Sequence, residues 1–173
     1  MRIAIYGPRP SVKMDDIEKI TDELTRFCAV NRFEINVPLT LGYNLALINK
    51  LRIKQGGGYN IYSWGNIDEV IETWKDRETI REILFGVMMR SAKRFVVASG
   101  DKTEKRSRKI RKRNKILADD SDYILVISPE GKLDEVDVAF WQGYCEDKVF
   151  KITDVMDVMA FESHVEIQRR LKK

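Results

Sequence analysis

Asp122-Tyr123-Ile124-Leu125-Val126-Ile127-Ser128 is the stretch that decides the fold. Its apolar and aromatic side chains stand in an unbroken row, with no alternation that would leave one face to water. Such a run fits a central strand of a parallel sheet, buried on both faces. On its C-terminal side, residues 136–144 read as a helix, 149–152 as a short last strand and 154–173 as a closing helix. On its N-terminal side a basic helix runs through Ile116 and Leu117, preceded by a strand at 95–99. Further back lie a helical stretch over about 67–93, broken near 75–77, and a strand at 59–64. Gly56-Gly57-Gly58 closes a helix carrying Leu45, Ile48 and Leu51, because glycine is the least strained residue for a left-handed C-terminal cap. Residues 33–37 form another strand, ended by Pro38. Ile17, Ile20, Leu24 and Phe27 follow Asp15 and Asp16 at helical spacing, and carboxylates suit a helix N-terminus. Residues 2–6 are the first strand, stopped by the turn Gly7-Pro8-Arg9-Pro10.

Strands thus alternate with helices through the whole chain. That pattern predicts an α/β fold, a single Rossmann-like domain with an open, mostly parallel sheet flanked by helices on both faces. The domain spans 1–173, with 153–173 a C-terminal helical extension. At 173 residues the chain is long enough for one sizeable core and short for two. No apolar stretch approaches the roughly 18 residues of a membrane helix, and the N-terminus does not read as a secretory signal. The expectation is a cytoplasmic protein that makes no membrane contact. Cys28 and Cys145 lie far apart and make no CxxC pair, so neither a disulfide framework nor a metal site is expected. His164, the one histidine, sits on the last helix far from the strand ends, which argues against histidine acid–base chemistry.

Open parallel sheets bind ligands outside the carboxyl ends of their strands. Gly7 and Arg9 follow the first strand; glycine lets backbone approach a phosphate and arginine forks onto one. Gly131 and Lys132 follow the central strand and lead into a helix, whose free N–H groups favour an anion. Glu135, in the same turn, faces either a ribose hydroxyl or water. Charge is distributed unevenly. The net charge is only +4, yet nine Lys/Arg fall between Lys102 and Lys115 against the single acid Glu104. Arg106, Arg108, Lys109, Arg111, Lys112, Arg113 and Lys115 are too dense to share one helical face, so most are solvated or face a polyanion. The three tryptophans read as packing residues, with Trp64, at a strand end, the exception.

The segment Arg113-Asn114-Lys115-Ile116-Leu117-Ala118-Asp119-Asp120-Ser121-Asp122, followed by the hydrophobic row, resembles the DNA-processing protein A (DprA/Smf) family. In that family an Arg-Asn pair opens a helix, and a small residue, Ser-Asp and a hydrophobic strand follow. The likeness continues through Gly131-Lys132-Leu133, Ala139 with Gln142-Gly143, and Val149-Phe150-Lys151-Ile152. Ile3-Ala4-Ile5-Tyr6-Gly7-Pro8-Arg9 is similar to the family's first strand and Gly-x-Arg turn, and Gly42-Tyr43-Asn44 stands where the family has Gly-x-Asp. The wider superfamily includes LOG-type phosphoribohydrolases, whose PGGxGTxxE signature the segment Pro129-Glu130-Gly131-Lys132-Leu133-Asp134-Glu135 resembles in shortened form, with Gly131 and Glu135 keeping their spacing. Leu39 and Leu41 occupy the place of a glycine-rich phosphate loop.

The resemblance implies non-catalytic binding of a nucleotide-derived small molecule or single-stranded DNA. Gly7, Arg9, Gly42, Asn44, Arg113, Asn114, Gly131 and Lys132 would meet phosphate, and Arg106, Arg108, Lys109, Arg111 and Lys112 a nucleic-acid strand. It implies no cofactor, and a homodimer as the assembly. Two alternatives stay open: a nucleoside-monophosphate N-glycosidic hydrolase in which Glu135 assists, and a protein that sequesters a small signalling nucleotide.

Overall fold

The computed structural model describes residues 1–7, 14–40, 42–54, 58–74, 78, 81, 92–128 and 136–172. Six strands, β1 (Arg2–Tyr6), β2 (Glu34–Pro38), β3 (Tyr59–Ser63), β4 (Arg94–Val97), β5 (Tyr123–Ile127) and β6 (Val149–Ile152), form one sheet in the order β4-β3-β2-β1-β5-β6. Every pairing in it is parallel. The helices are α1 (Met14–Val30), α2 (Tyr43–Lys54), α3 (Ile67–Glu72), α4 (Arg106–Asp119), α5 (Val136–Cys145) and α6 (Val155–Leu171), with a 3-10 turn at Glu146–Lys148. The expected α/β architecture is therefore present. Of the helical stretch expected over 67–93, α3 and the positions Glu78 and Arg81 are helical, and residues 75–77, 79–80 and 82–91 lie outside the described residues. The Gly56-Gly57 cap lies outside the described residues.

Side-chain alternation along the strands builds two layers. Ile3, Ile5, Ile35, Val37, Ile61, Leu125 and Ile127 point into the larger core, which contains residues from α1, α2, α3 and α6. Ala4, Tyr6, Tyr62, Ile124 and Val126 point the other way, into a smaller cluster with Leu117 and Ala118 of α4 and Val138 and Trp141 of α5. The unbroken apolar row of β5 is explained by this geometry, since each alternate residue finds a core. The last helix belongs to the larger core: Val158, Phe161 and Val165 are buried, and the Phe161 ring meets Phe27 of α1 edge-on at 6.1 Å.

Pro38 is the last residue of β2 rather than its terminator. It stands opposite Tyr62, yet the ladder to β3 is untouched, because the N–H groups of Ile35 and Leu39 donate to the carbonyls of Gly58 and Tyr62. N–H groups alternate sides along a strand, so the donor that proline lacks belongs to the side facing away from β3.

Beyond the α4–α5 cluster the second face becomes polar. Asn60 Nδ2 donates to Asn36 Oδ1 at 2.8 Å, and Asn36 Nδ2 donates to Ser121 Oγ at 2.8 Å. Tyr62 Oη donates to Asp120 Oδ2 at 2.9 Å. These bonds pin the C-terminal end of α4 to β2 and β3. Lys148 Nζ adds two bonds of 3.0 Å, to the carbonyls of Ala118 and Ser121, where a cation suits a helix C-terminus. Farther along the same face the Lys93 ammonium, aided by Arg2 and Asn60, holds the Glu34 carboxyl at about 2, well below the usual carboxylate range.

Candidate nucleic-acid interface

The strand order reverses between β1 and β5, which makes their carboxyl ends the topological switch point of the sheet. Gly7 leaves β1 there. A Cβ on Gly7 would fall 2.1 Å from Cδ1 of Tyr43, so only glycine lets this turn close on α2. The Gly7 N–H donates to Asn44 Oδ1 at 3.0 Å, and Asn44 Nδ2 donates to Thr40 Oγ1 at 2.6 Å. Fully buried Asn44 thereby ties the exits of β1 and β2 together. Gly42 starts that helix with φ of 83°, in the left-handed region that glycine enters without a steric penalty. Arg9, Gly131, Lys132 and Glu135 lie outside the described residues.

Helix α4 sorts the basic run by its phase. Lys109, Arg113, Asn114, Leu117 and Ala118 are buried. Arg108, Arg111, Lys112 and Lys115, at i, i+3, i+4 and i+7, share one exposed stripe. Density along the sequence therefore did not prevent four of the seven cations from aligning; the other three take inward or flanking positions. Lys109 Nζ reaches Glu69 Oε1 of α3 at 2.5 Å. The Arg106 guanidinium lies over the Trp64 ring at 5.2 Å, and Trp64 is only 4% exposed, so its ring is covered by cations.

The inward pair Arg113 and Asn114 meets Asp137 in the first turn of α5. Arg113 Nη2 donates to Asp137 Oδ2 at 2.9 Å, and Asn114 Nδ2 donates to Asp137 Oδ1 at 2.8 Å. Asn114 Oδ1 accepts from the same guanidinium at 2.7 Å, and the Asn114 carbonyl accepts from Trp141 Nε1 at 3.1 Å. Trp141 in turn packs edge-on against Tyr6 of β1 at 5.2 Å. All three polar side chains are buried, so this bracket sets how α4 sits on α5 and on the first strand.

With the bracket in place, the flank of α5 meets the outward stripe of α4. Phe140 and Tyr144, one helical turn apart, stack with ring centroids 5.4 Å apart and planes inclined by 19°. Arg111 lies 5.9 Å from the Phe140 ring centre. Tyr144 is 45% exposed, and its hydroxyl donates to Asp119 Oδ1 at 2.9 Å. These rings, the four stripe cations and Glu104 line a depression of about 450 Å³. Glu104 is the only acid among the described lining residues; it lies 2.8 Å from Lys112, which, with Ser99, lowers its pKa. Arg108, Arg111 and Lys115 have no ion-pair partner among the described residues.

Asp137, Phe140 and Tyr144 were not singled out from the sequence. An acid in a first helical turn reads as a dipole or capping residue, and nothing local ties Asp137 to Arg113. The i, i+4 aromatic spacing on a helix whose inward face is Val138 and Trp141 was the available signal for the stacked pair.

No family model matches the sequence, and no curated protein matches it. Solved structures do match the fold. DNA processing protein A from Helicobacter pylori, described for its unique single-stranded DNA binding mode, aligns with a TM-score of 0.60 at 17% identity. That alignment covers 87% of this chain and 64% of the other. DNA processing protein A from Streptococcus pneumoniae aligns with a TM-score of 0.50 at 14% identity, over 92% of this chain and 60% of the other. The chain thus spans less than two thirds of the length of either protein. Its described fold, a six-stranded parallel sheet with its switch point between β1 and β5, is that of a DNA processing protein A-like domain.

Proposed function

We propose that this protein binds nucleic acid without turnover, through the phosphates of a strand laid along the exposed stripe Arg108, Arg111, Lys112 and Lys115. One observation carries the proposal: the stripe is electrostatically unfavourable in the free protein. Arg108 with Lys112, and Arg111 with Lys115, are like-charge pairs at i, i+4, each destabilising by about 0.2–0.5 kcal/mol. The first turn of α4 holds no acid and its cap residue Lys105 makes no side-chain cap bond, although cations oppose the helix dipole there. A polyanion relieves both terms at once. The H. pylori neighbour of the same fold is described as binding single-stranded DNA, which makes a single strand the first form to test. Arg113 and Asn114 serve this reading by positioning α4, and Arg9 and Lys132, which follow β1 and β5 in the sequence, remain candidate phosphate contacts. The hydrolase alternative rests on Glu135, which lies outside the described residues.

The test is a titration of fluorescein-labelled oligothymidylate across salt concentrations. Three to four phosphate contacts should give a linear fall of log K with log salt, of slope about −2 to −3 for a single strand. Binding that is absent, or that ignores salt, overturns the proposal.

A further inference from the structure

Phosphate contacts along α4 would hold a single strand and a duplex alike, but the same depression also presents aromatic rings. We infer that the Phe140–Tyr144 stack is a base-binding platform, which makes the preferred ligand of this surface a strand with unpaired bases. The inference rests on the nucleic-acid reading above and deepens it.

The geometry supports the inference at three points. First, the two rings are nearly parallel, with centroids 5.4 Å apart; Phe140 is half-buried against the smaller core, and Tyr144, 45% exposed, presents its ring to solvent. Its neighbour Trp141, on the inward side of α5, shows the contrast: it is fully buried. Second, the Tyr144 hydroxyl is held by Asp119 at 2.9 Å and Arg111 lies over the Phe140 ring, so both rings are oriented before any ligand arrives. Third, charge complementarity calls for an anionic occupant, because among the described lining residues Arg108, Arg111, Lys112 and Lys115 stand against the one acid Glu104. A neutral or acidic-poor protein segment would leave those charges uncompensated. Every base has a π-face, and base–aromatic stacking beside a cationic groove is how single strands are held without reading their sequence. Paired bases in a duplex turn those faces inward, so the platform discriminates by strandedness.

The experiment uses the full chain with a labelled 12-nucleotide oligothymidylate and a 12-base-pair duplex, comparing wild type with Phe140→Leu, Tyr144→Leu and Tyr144→Phe. Tyr144→Leu is the primary variant, since this half-exposed position tolerates substitution more readily than Phe140. Leucine at either position should weaken single-strand binding about tenfold and leave duplex binding and the salt slope unchanged, while Tyr144→Phe, which keeps the ring and loses only its tether to Asp119, should lose clearly less than Tyr144→Leu. Equal losses for both forms, or no loss for the single strand, overturn the platform while leaving the phosphate contacts standing. So does a leucine variant that changes the oligomeric state in light scattering at unchanged DNA affinity, which would make the rings a contact between copies. If wild type binds neither form, the nucleic-acid reading itself falls, and the platform with it.

Discussion

Asp137→Ala is expected to destabilise the protein by about 3–5 kcal/mol, the range for breaking a buried ion pair by removing one partner. The substitution removes the Asp137 carboxylate, 2.9 Å from the Arg113 guanidinium, which is 2% exposed, and with it the acceptor 2.8 Å from Asn114 Nδ2. A charged acceptor shared by two buried side chains is thereby lost where water cannot replace it. For a chain of this size, that loss corresponds to a fall in melting temperature of roughly 10 °C. Thermal unfolding followed by circular dichroism reads it directly. A change within the roughly 0.5 kcal/mol typical of surface substitutions would mean that the bracket joining α4 to α5 does not hold in solution. Asp137→Asn, which keeps an acceptor but not the charge, should fall between the two.

The second large effect has the opposite sign for stability. Arg108→Gln together with Lys115→Gln removes four repulsive pairs on α4, those of each residue with Arg111 and with Lys112. Lys115 also gives up a favourable i, i+4 relation with Asp119, so the net gain is smaller than the sum. A rise in melting temperature of about 2 °C is expected. Affinity for oligothymidylate should drop at the same time. Each phosphate contact contributes a salt exponent of about 0.7, hence about fivefold at 0.1 M salt, so two contacts amount to about 25-fold. The slope of log K against log salt should flatten by about 1.4. A variant that is more stable and binds less well identifies charges held for a ligand. One that gains stability with unchanged affinity would assign the stripe to solvent.

Much of the architecture was legible in the sequence because burial on both faces leaves a strong mark. Residues 3–6 of β1 and the whole of β5 are apolar or aromatic without alternation, which only a central parallel strand requires, and their ends are punctuated by Gly7 and Ser128. The alternation of such rows with helical spacing then dictated a parallel sheet. The site was less legible, for two physical reasons. One is helical phase: a run as dense as 105–115 contains several candidate faces, and which cations turn outward depends on where Leu117 and Ala118 find the sheet. Lys109 and Arg113 were thus grouped with Arg108 and Arg111, although the fold turns them inward. The other is distance along the chain. Arg113 and Asn114 meet Asp137 from another helix, Gly7 meets Asn44 across 37 residues, and no local pattern encodes either bond. The Arg-Asn pair was noticed through a family likeness; that its partner is an acid at the start of α5 became visible only in three dimensions.

Lysine acetylation with and without bound oligothymidylate, read by mass spectrometry, tests the central claim most directly, because it locates the strand on the surface. Lys112 and Lys115 should become protected as the strand saturates, while exposed Lys19 and Lys172, away from the stripe, react as before. Unchanged reactivity of Lys112 and Lys115 under saturating DNA would contradict binding along the outward face of α4.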